Sequence, residues 1–539
     1  MPVLGGCNKS LDYDESSFYT EDAVFNSPSL YKALLTTIYG YLPTDFNPID
    51  GAMRSSASDD AVHVWDLSDI KKFNDGSWSA LQTVDNQWGN LYNGIRAANL
   101  FLQKAEGQTF EDLRYNDGYK EMMIQYDNYP NEARFLRAFF YFELIKRYGD
   151  VPLVTTVLSA EEANNVTRAP YRQVVDFIVS ECDEVIPKLP NSYASIPGSE
   201  TGRATKGAAL ALKARTLLYA ASPLHNADDD QMKWIDAAYA SKEIIDLQQY
   251  NLESNYENVV NNISSSELIL ETRQNFSNAF EAANSPVGFQ GGNTGTCPTQ
   301  NLVEAYEMQE TGMNVLEQGS GFNPDDPYTG RDPRMYETVL FNGASWKNVS
   351  IEVWPGGLNG PPTERATKTG YYLKKYLIES VSLSPVNPTT QQHTWVLFRY
   401  GEVLLNYAEA MNEAFGPAGT GPGSLTMTAS EAVNLIRARA GMPAFPDGMS
   451  KEDFRQKLRN ERRVELAFED SRFWDIRRWN IGDSTTKIYG VDVNRANSGA
   501  LSYTVKLVEN RIWNDRMNLY PIPQSELYIN HALSQNPNW

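Results

Sequence analysis

Apolar residues fall at helical spacing along most of the chain, and many of the runs carry their own start and stop signals. Ser27 and Pro28 supply a cap and a first-turn proline before the run 30–39. Asn128, Pro130 and Glu132 open a helix carrying Phe135, Leu136, Phe139, Phe140, Phe142 and Ile145, which Gly149 and Pro152 close. Apolar side chains go most of the way round this helix, so it is predicted to lie buried among neighbours. The stretch 205–221 is rich in alanine, which lets two helices approach closely, and Pro223 ends it. Thr428 with Glu431 forms a capping box for a helix ending at Gly441, and Ser450 with Asp453 repeats the device for a helix running to Phe468. Short connections between such helices predict antiparallel pairs stacked as in tetratricopeptide-type arrays. No strict repeat is legible, so the array is expected to be irregular.

The texture changes between about residues 285 and 395, where Gly291-Gly292, Pro324, Pro327, Pro333, Gly356-Gly357 and Pro361-Pro362 interrupt short β-like runs such as 335–341. A second irregular region spans 44–87. Loops of this length inside a compact protein usually carry function. The run 416–424 has neither the lysine nor the spacing of a phosphate loop and reads as a flexible connector. Tryptophans on predicted helices, Trp88, Trp234, Trp474 and Trp479, are expected in the core.

Composition narrows the function classes. Of 539 residues, 47 are Lys or Arg and 68 Asp or Glu, a formal charge of −21, which argues against nucleic acid and its phosphates. The hydrophobic fraction of 41% is ample for a core. Aromatic residues reach 12%, an excess that asks for an explanation. No apolar run is long enough to span a membrane. Cys7, Cys182 and Cys297 show no metal-ligand spacing, which excludes a disulfide framework and leaves at most one bridge. Cys182 lies in a helix-like run and reads as a buried thiol. Leu4-Gly5-Gly6 before Cys7 resembles the lipobox of a bacterial lipoprotein, whose cysteine is acylated; the alternative is a chance cysteine in a frayed terminus. Too few residues precede Cys7 for a complete signal peptide, so the sequence reads as a truncated precursor.

Tests for catalysis fail one by one. His63, His225, His393 and His531 are scattered, and no HExxH, GxSxG, Walker or GxGxxG motif occurs. Asp228-Asp229-Asp230 lacks EF-hand spacing and is read as a cap for the helix beginning near Gln231, with calcium as the alternative. Glu461 and Glu465, on one helical stripe with Phe454, Leu458 and Phe468, stand roughly 5 to 6 Å apart at Cβ, near the spacing of a retaining glycosidase pair. Arg462, Arg463, Arg472, Arg477 and Arg478 crowd the same neighbourhood. Guanidinium groups depress carboxylate pKa values, so an Arg–Glu network locking helix to helix is the favoured reading. The sequence therefore predicts no enzyme, no cofactor and no metal.

Six longer segments carry a resemblance to a known family. They are 131–154 (NEARFLRAFFYFELIKRYGDVPLV), 205–223, 398–413 (FRYGEVLLNYAEAMNE), 436–443, 458–479 (LRNERRVELAFEDSRFWDIRRW) and 520–539. Together they closely resemble the SusD/RagB family of outer-membrane nutrient-binding lipoproteins. The resemblance implies a mostly α fold: an irregular tetratricopeptide-like scaffold with long loop-rich insertions and a few short β-strands. It divides the chain into a lipoprotein N-terminus and tether at 1–24 and one SusD-like domain at 25–539. Within the latter, scaffold is expected at about 25–43, 88–280 and 398–480, insertions at about 44–87 and 285–397, and a C-terminal segment at 481–539. Family members sit on the cell surface, lipid-anchored in the outer membrane of Bacteroidetes-type bacteria. They bind oligosaccharide, or in some cases peptide, without catalysis, and act as a lid on a SusC-like TonB-dependent transporter. The resemblance also implies acylation at Cys7.

Sugar rings have apolar C–H faces and a rim of hydroxyls, so a glycan site wants exposed aromatic platforms beside amides or carboxylates. The resemblance places ligand contacts in the two inserted loops. Trp65 and Trp78 lie in the first, near Asp59, Asp60, Asp66 and Asp75; Trp346 and Trp354 lie in the second, near Asn342, Asn348 and Asn359. These four tryptophans are the predicted ligand-binding residues, with Tyr306 and Asp59 as further candidates. The competing expectation for each tryptophan is a plug at the base of a long loop.

Overall fold

The computed structural model describes residues 24–196 and 198–539. Cys7, the expected lipidation site, lies outside the described residues. The main helices are α1 (Pro28–Tyr39), α2 (Trp88–Ala105), α3 (Tyr129–Tyr148), α4 (Tyr171–Val185), α5 (Lys206–Ala221), α6 (Gln231–Asp246), α7 (Tyr400–Phe415), α8 (Ala429–Arg439), α9 (Lys451–Glu465) and α10 (Ser471–Arg478). From α1 to α8 each helix packs on the next, giving the irregular tetratricopeptide-like array that the pattern predicted.

Local signals set the helix boundaries. Thr428 and Glu431 form the reciprocal capping box of α8, and the Ser450 hydroxyl accepts from the Asp453 N–H at the start of α9. Asp230 caps α6 by accepting from the Met232 N–H. Asn128 departs from expectation: its side chain does not cap α3 but donates to the Ile124 carbonyl, 2.9 Å away. Helix α3 is buried on nearly every side. Its Glu132 accepts from the Tyr39 hydroxyl (2.6 Å), the Tyr193 hydroxyl (2.8 Å) and Arg203 Nε (3.0 Å), so burial leaves the carboxylate fully partnered.

One apolar cluster extends from Phe25 to Ile522, and a second joins α5–α9 through Leu218, Trp234, Leu404, Met411, Val433 and Leu458. Trp88, Trp234, Trp474 and Trp479 are buried, as are the free thiols of Cys182 and Cys297.

The principal strands are β1 (Ala61–His63), β2 (Leu268–Arg273), β3 (Thr296–Pro298), β4 (Thr394–Arg399), β5 (Lys487–Arg495) and β6 (Leu501–Asn510). They form two-stranded antiparallel ladders, and two of these position the loops. The β2–β4 ladder runs from the Leu268–Arg399 pair to the Arg273–Thr394 pair, which draws together the two ends of the second insertion. The β1–β3 ladder, with Val62 opposite Cys297, ties the first insertion to the second.

Two local expectations are corrected. Residues 335–341 are not a β run: Asp332 caps a short helix, Pro333–Thr338, and only Val339–Leu340 is a strand. The C-terminal segment holds a long hairpin, β5–β6, which the helical reading missed.

Candidate functional site

The first inserted loop presents Trp65. Its indole N–H donates to the Asn293 carbonyl at 2.9 Å, and His63 packs edge-on against its ring at 5.0 Å. Gly51 lets the loop close on the ring. It has φ +83°, and a Cβ there would stand 2.7 Å from Trp65 Cζ3. Trp65 is thereby fixed in orientation while remaining partly exposed. The Arg365 guanidinium lies over the ring, 5.6 Å from its centroid, and donates from Nη1 to the Asn293 side-chain oxygen at 2.5 Å. Beside the ring Lys368 pairs with Asp66, whose carboxyl this hydrogen bond holds below the usual range. His63 itself is buried. Desolvation, aided by Lys71 and Lys368, pushes its pKa down to about 4, so it is neutral at pH 7.

Trp354 is built the same way in the second insertion. It is partly exposed, and Arg495 from the tip of β5 lies over its ring at 4.9 Å. The chain folds back beneath it: Gly357 N–H donates to the Trp354 carbonyl at 2.9 Å, and a Cβ at Gly360 would stand 2.2 Å from that oxygen. Only glycine fits there.

A chain of contacts joins the two tryptophans. The loop that begins at Trp354 ends at Arg365, over Trp65. Within it Asn359 donates to the Val287 carbonyl at 2.6 Å and accepts from the Glu352 N–H at 2.9 Å. Residues 287–293 thus support both. The hairpin closes the group, since the Val491 N–H donates to the Thr369 carbonyl at 2.8 Å, next to Lys368. The arrangement offers two aromatic faces with guanidinium, amide and ammonium donors around them. That is the chemistry of a glycan-binding surface.

The remaining predicted ligand residues are corrected by their burial. Trp78 is 1% exposed and packs edge-on against Phe73, Tyr520 and Trp539 at 4.7, 5.2 and 4.5 Å. Trp346 is 2% exposed, and both are therefore plugs at the base of their loops. Tyr306 is fully buried, and its carbonyl accepts from Arg331 at 2.8 Å. Asp59 is buried and accepts from Arg472 Nε (2.8 Å) and Nη2 (2.9 Å), with Arg463 at 3.1 Å. Burial opposes its charge, but these two guanidinium groups prevail and hold its carboxyl well below the ordinary range. None of the four offers an open face to solvent. Arg365, Arg495 and Asn293, which surround Trp65 and Trp354, were missed by sequence reasoning, because lone polar residues far apart in the chain carry no periodic signal.

The Glu461–Glu465 pair is the expected Arg–Glu network, with different partners. Glu461 accepts from Arg334 (2.6 Å) and Arg437 (2.7 Å); Glu465 accepts from Arg334 (2.9 Å), Arg399 (2.8 Å) and Arg439. Of the arginines nearby in sequence, Arg462 pairs with Asp475, Arg463 and Arg472 with Asp59, and Arg478 with Glu409. Arg477 instead stacks on Phe473 at 3.4 Å. Desolvation opposes ionisation of Glu461 and Glu465, yet the arginines around them lower both pKa values. A glycosidase acid needs the opposite shift, so this buried pair is structural. Among the described residues no group of three or more His, Cys, Asp or Glu is placed to hold a metal ion.

Clefts lie elsewhere, including one of about 630 Å³ at Met427 and Leu435 and two smaller ones. One of about 350 Å³ is lined by Lys32, Tyr39, Tyr129, Arg203 and Arg273, and one of about 320 Å³ by Trp88, Arg96, Leu158, Glu526 and Ile529. In the first, Lys32 pairs with Glu200, Arg203 with Glu132 and Arg273 with Glu271. None of the three contains Trp65 or Trp354. Trp65 and Trp354 are therefore a candidate site on their aromatic geometry and not on cavity volume.

Comparison with known proteins agrees with this architecture. Residues 252–539, more than half of the chain, match the SusD family. The chain belongs to the SusD family. Residues 11–218 match a second SusD-like family, described as starch-binding and associating with the outer membrane. SusD-like protein P25 of Formosa agariphila is 25% identical, over 98% of this chain and 95% of its own. A SusD-like protein of Bacteroides fragilis has a crystal structure that superposes with a TM-score of 0.78 at 28% identity, covering 96% of this chain and 99% of that one. A SusD-like carbohydrate binding protein from the same organism gives 0.74 at 27% identity, covering 95% and 100%.

Proposed function

We propose that this SusD-family protein is a cell-surface lipoprotein that binds oligosaccharide on Trp65 and Trp354 and delivers it to a SusC-like TonB-dependent transporter. It carries no catalysis in this reading, and Cys7 is its lipid anchor in the outer membrane. The observation that carries the reading is the pair of loop tryptophans, each fixed by its surroundings yet open on one side. Membership of the family supports the cellular setting, and the relative named for carbohydrate binding supports the ligand class.

Calorimetric titration against a panel of oligosaccharides tests ligand binding, with a peptide library as the competing class. Co-purification of the full-length protein with an adjacent transporter tests delivery. Binding to glycans without hydrolysis, and a stable complex with the transporter, are expected. Capture of peptides alone would replace the glycan assignment.

A further inference from the structure

Trp65 and Trp354 each carry an arginine on the ring, and the two arginines come from different segments. Arg365 ends the second insertion's glycine-rich loop, whereas Arg495 ends β5. A guanidinium over an indole at an exposed site is held only weakly, so a ligand readily shifts it. Apart from the Arg365 Nη1–H given to Asn293, the in-plane N–H groups stay available while the face rests on the ring, and their fork matches a carboxylate or a sulfate.

The neighbouring carboxylates are already engaged. Asp66 is held by Lys368, Asp492 by Lys506 at 2.6 Å, and Glu352 accepts from the Leu358 N–H at 3.2 Å. Glu364 is highly exposed and no closer than 3.9 Å to Arg365. Arg495 has no carboxylate partner among the described residues, and Trp354 is its contact. In a chain of net charge −21, these two platforms are places where positive donors stand over an apolar face. A neutral sugar stacking on either ring displaces a cation and gains no charge contact. A sugar bearing an acid group keeps the stacking and also receives the guanidinium.

We infer that the site selects anionic oligosaccharides, chains carrying uronate carboxylates or sulfate esters, with Arg365 and Arg495 as the selecting residues. This rests on the glycan-binding reading of the same loops.

The test is calorimetric titration of the whole chain, and of Arg365→Gln and Arg495→Gln, with three probes of equal length. These are a neutral gluco-oligosaccharide, an oligogalacturonate and a sulfated galactan oligosaccharide; the last two distinguish carboxylate from sulfate. The anionic probes should bind at least about tenfold more tightly than the neutral one at about 0.05 M salt, and lose most of that advantage at about 0.5 M. Each Arg→Gln change should cost the anionic probe about tenfold and, by freeing the ring, leave the neutral one as tight or a few-fold tighter. Both arginines are exposed, so thermal midpoints should not move. Equal affinity for neutral and anionic probes, or anionic binding indifferent to both substitutions, overturns the inference while the glycan reading stands. Failure of all three probes to bind overturns the inference, and if the wider oligosaccharide panel fails as well the glycan reading falls with it.

Discussion

The helical scaffold and the inserted loops of this SusD-family protein use the same residue types for opposite ends. In the scaffold, charged side chains go inside: Arg399 and Arg439 converge on Glu465, joined by Arg334 from the base of the second insertion, and no side chain of the cluster is more than 5% exposed. At the rim of the loops, Arg365 and Arg495 stay outside and rest on aromatic rings, while Arg54 and Arg331 at the loop bases are buried. The tryptophans divide similarly. Trp78 and Trp346 fill the bases of the loops, whereas Trp65 and Trp354 surface beside them. Residue type therefore does not announce role. What decides is whether neighbouring chain satisfies a group's polar atoms and covers its apolar ones.

The contrast breaks most visibly in the scaffold. Glu465→Ala leaves three buried guanidinium groups short of a partner and should destabilise the fold by about 3–5 kcal/mol, read by urea titration. Among the aromatics, Trp78→Ala opens a cavity between Phe73, Tyr520 and Trp539 and should cost about 3 kcal/mol or more. At a temperature where that variant stays folded, its glycan affinity should match the parent's. Lost affinity in a demonstrably folded Trp78 variant would move the site.

Acid should separate the two regions next. His63 titrates near 4 in the folded protein against about 6.5 when unfolded, so the unfolded chain takes up its proton first and stability falls as pH drops below about 6.5. Asp85, Glu143 and Glu409 lie near 2, held down by arginine or lysine despite burial, against ordinary values of about 4. Their contribution is full above about pH 5 and is lost between there and about 2. Denaturation midpoints measured from pH 7.5 to 3 should therefore fall, offset in part by Asp45, Asp60 and Glu132, whose carboxyls burial pushes up. A flat profile would contradict the buried network.

Much of the fold was legible because its determinants are local. Thr428 with Glu431 and Ser450 with Asp453 mark their helix starts within four residues, and the apolar girth of α3 follows from periodicity alone. The Arg–Glu network was legible in kind but not in partners. Helix crossings bring Arg334, Arg399 and Arg439 to Glu465, and sequence neighbours such as Arg462 turn elsewhere. The site was legible only as a pair of regions. Trp65 and Trp78 stand in one aspartate-rich loop, and nothing within that loop says which will meet Tyr520 and Trp539, more than 400 positions away. The β5–β6 hairpin escaped notice although Ile488, Val491 and Val493 on one side of Asn497-Ser498-Gly499, and Tyr503, Val505 and Leu507 on the other, offered a strand–turn–strand signal. That hairpin delivers Arg495 to Trp354.

The most direct test of the central claim is calorimetric titration of the best-binding glycan against Trp65→Ala and Trp354→Ala, with thermal unfolding recorded on the same samples. Each substitution should weaken binding at least about tenfold, equivalent to about 1.4 kcal/mol, while the thermal midpoint stays close to the parent's. Undiminished affinity in both folded variants would contradict the assignment of these two rings as the ligand platform.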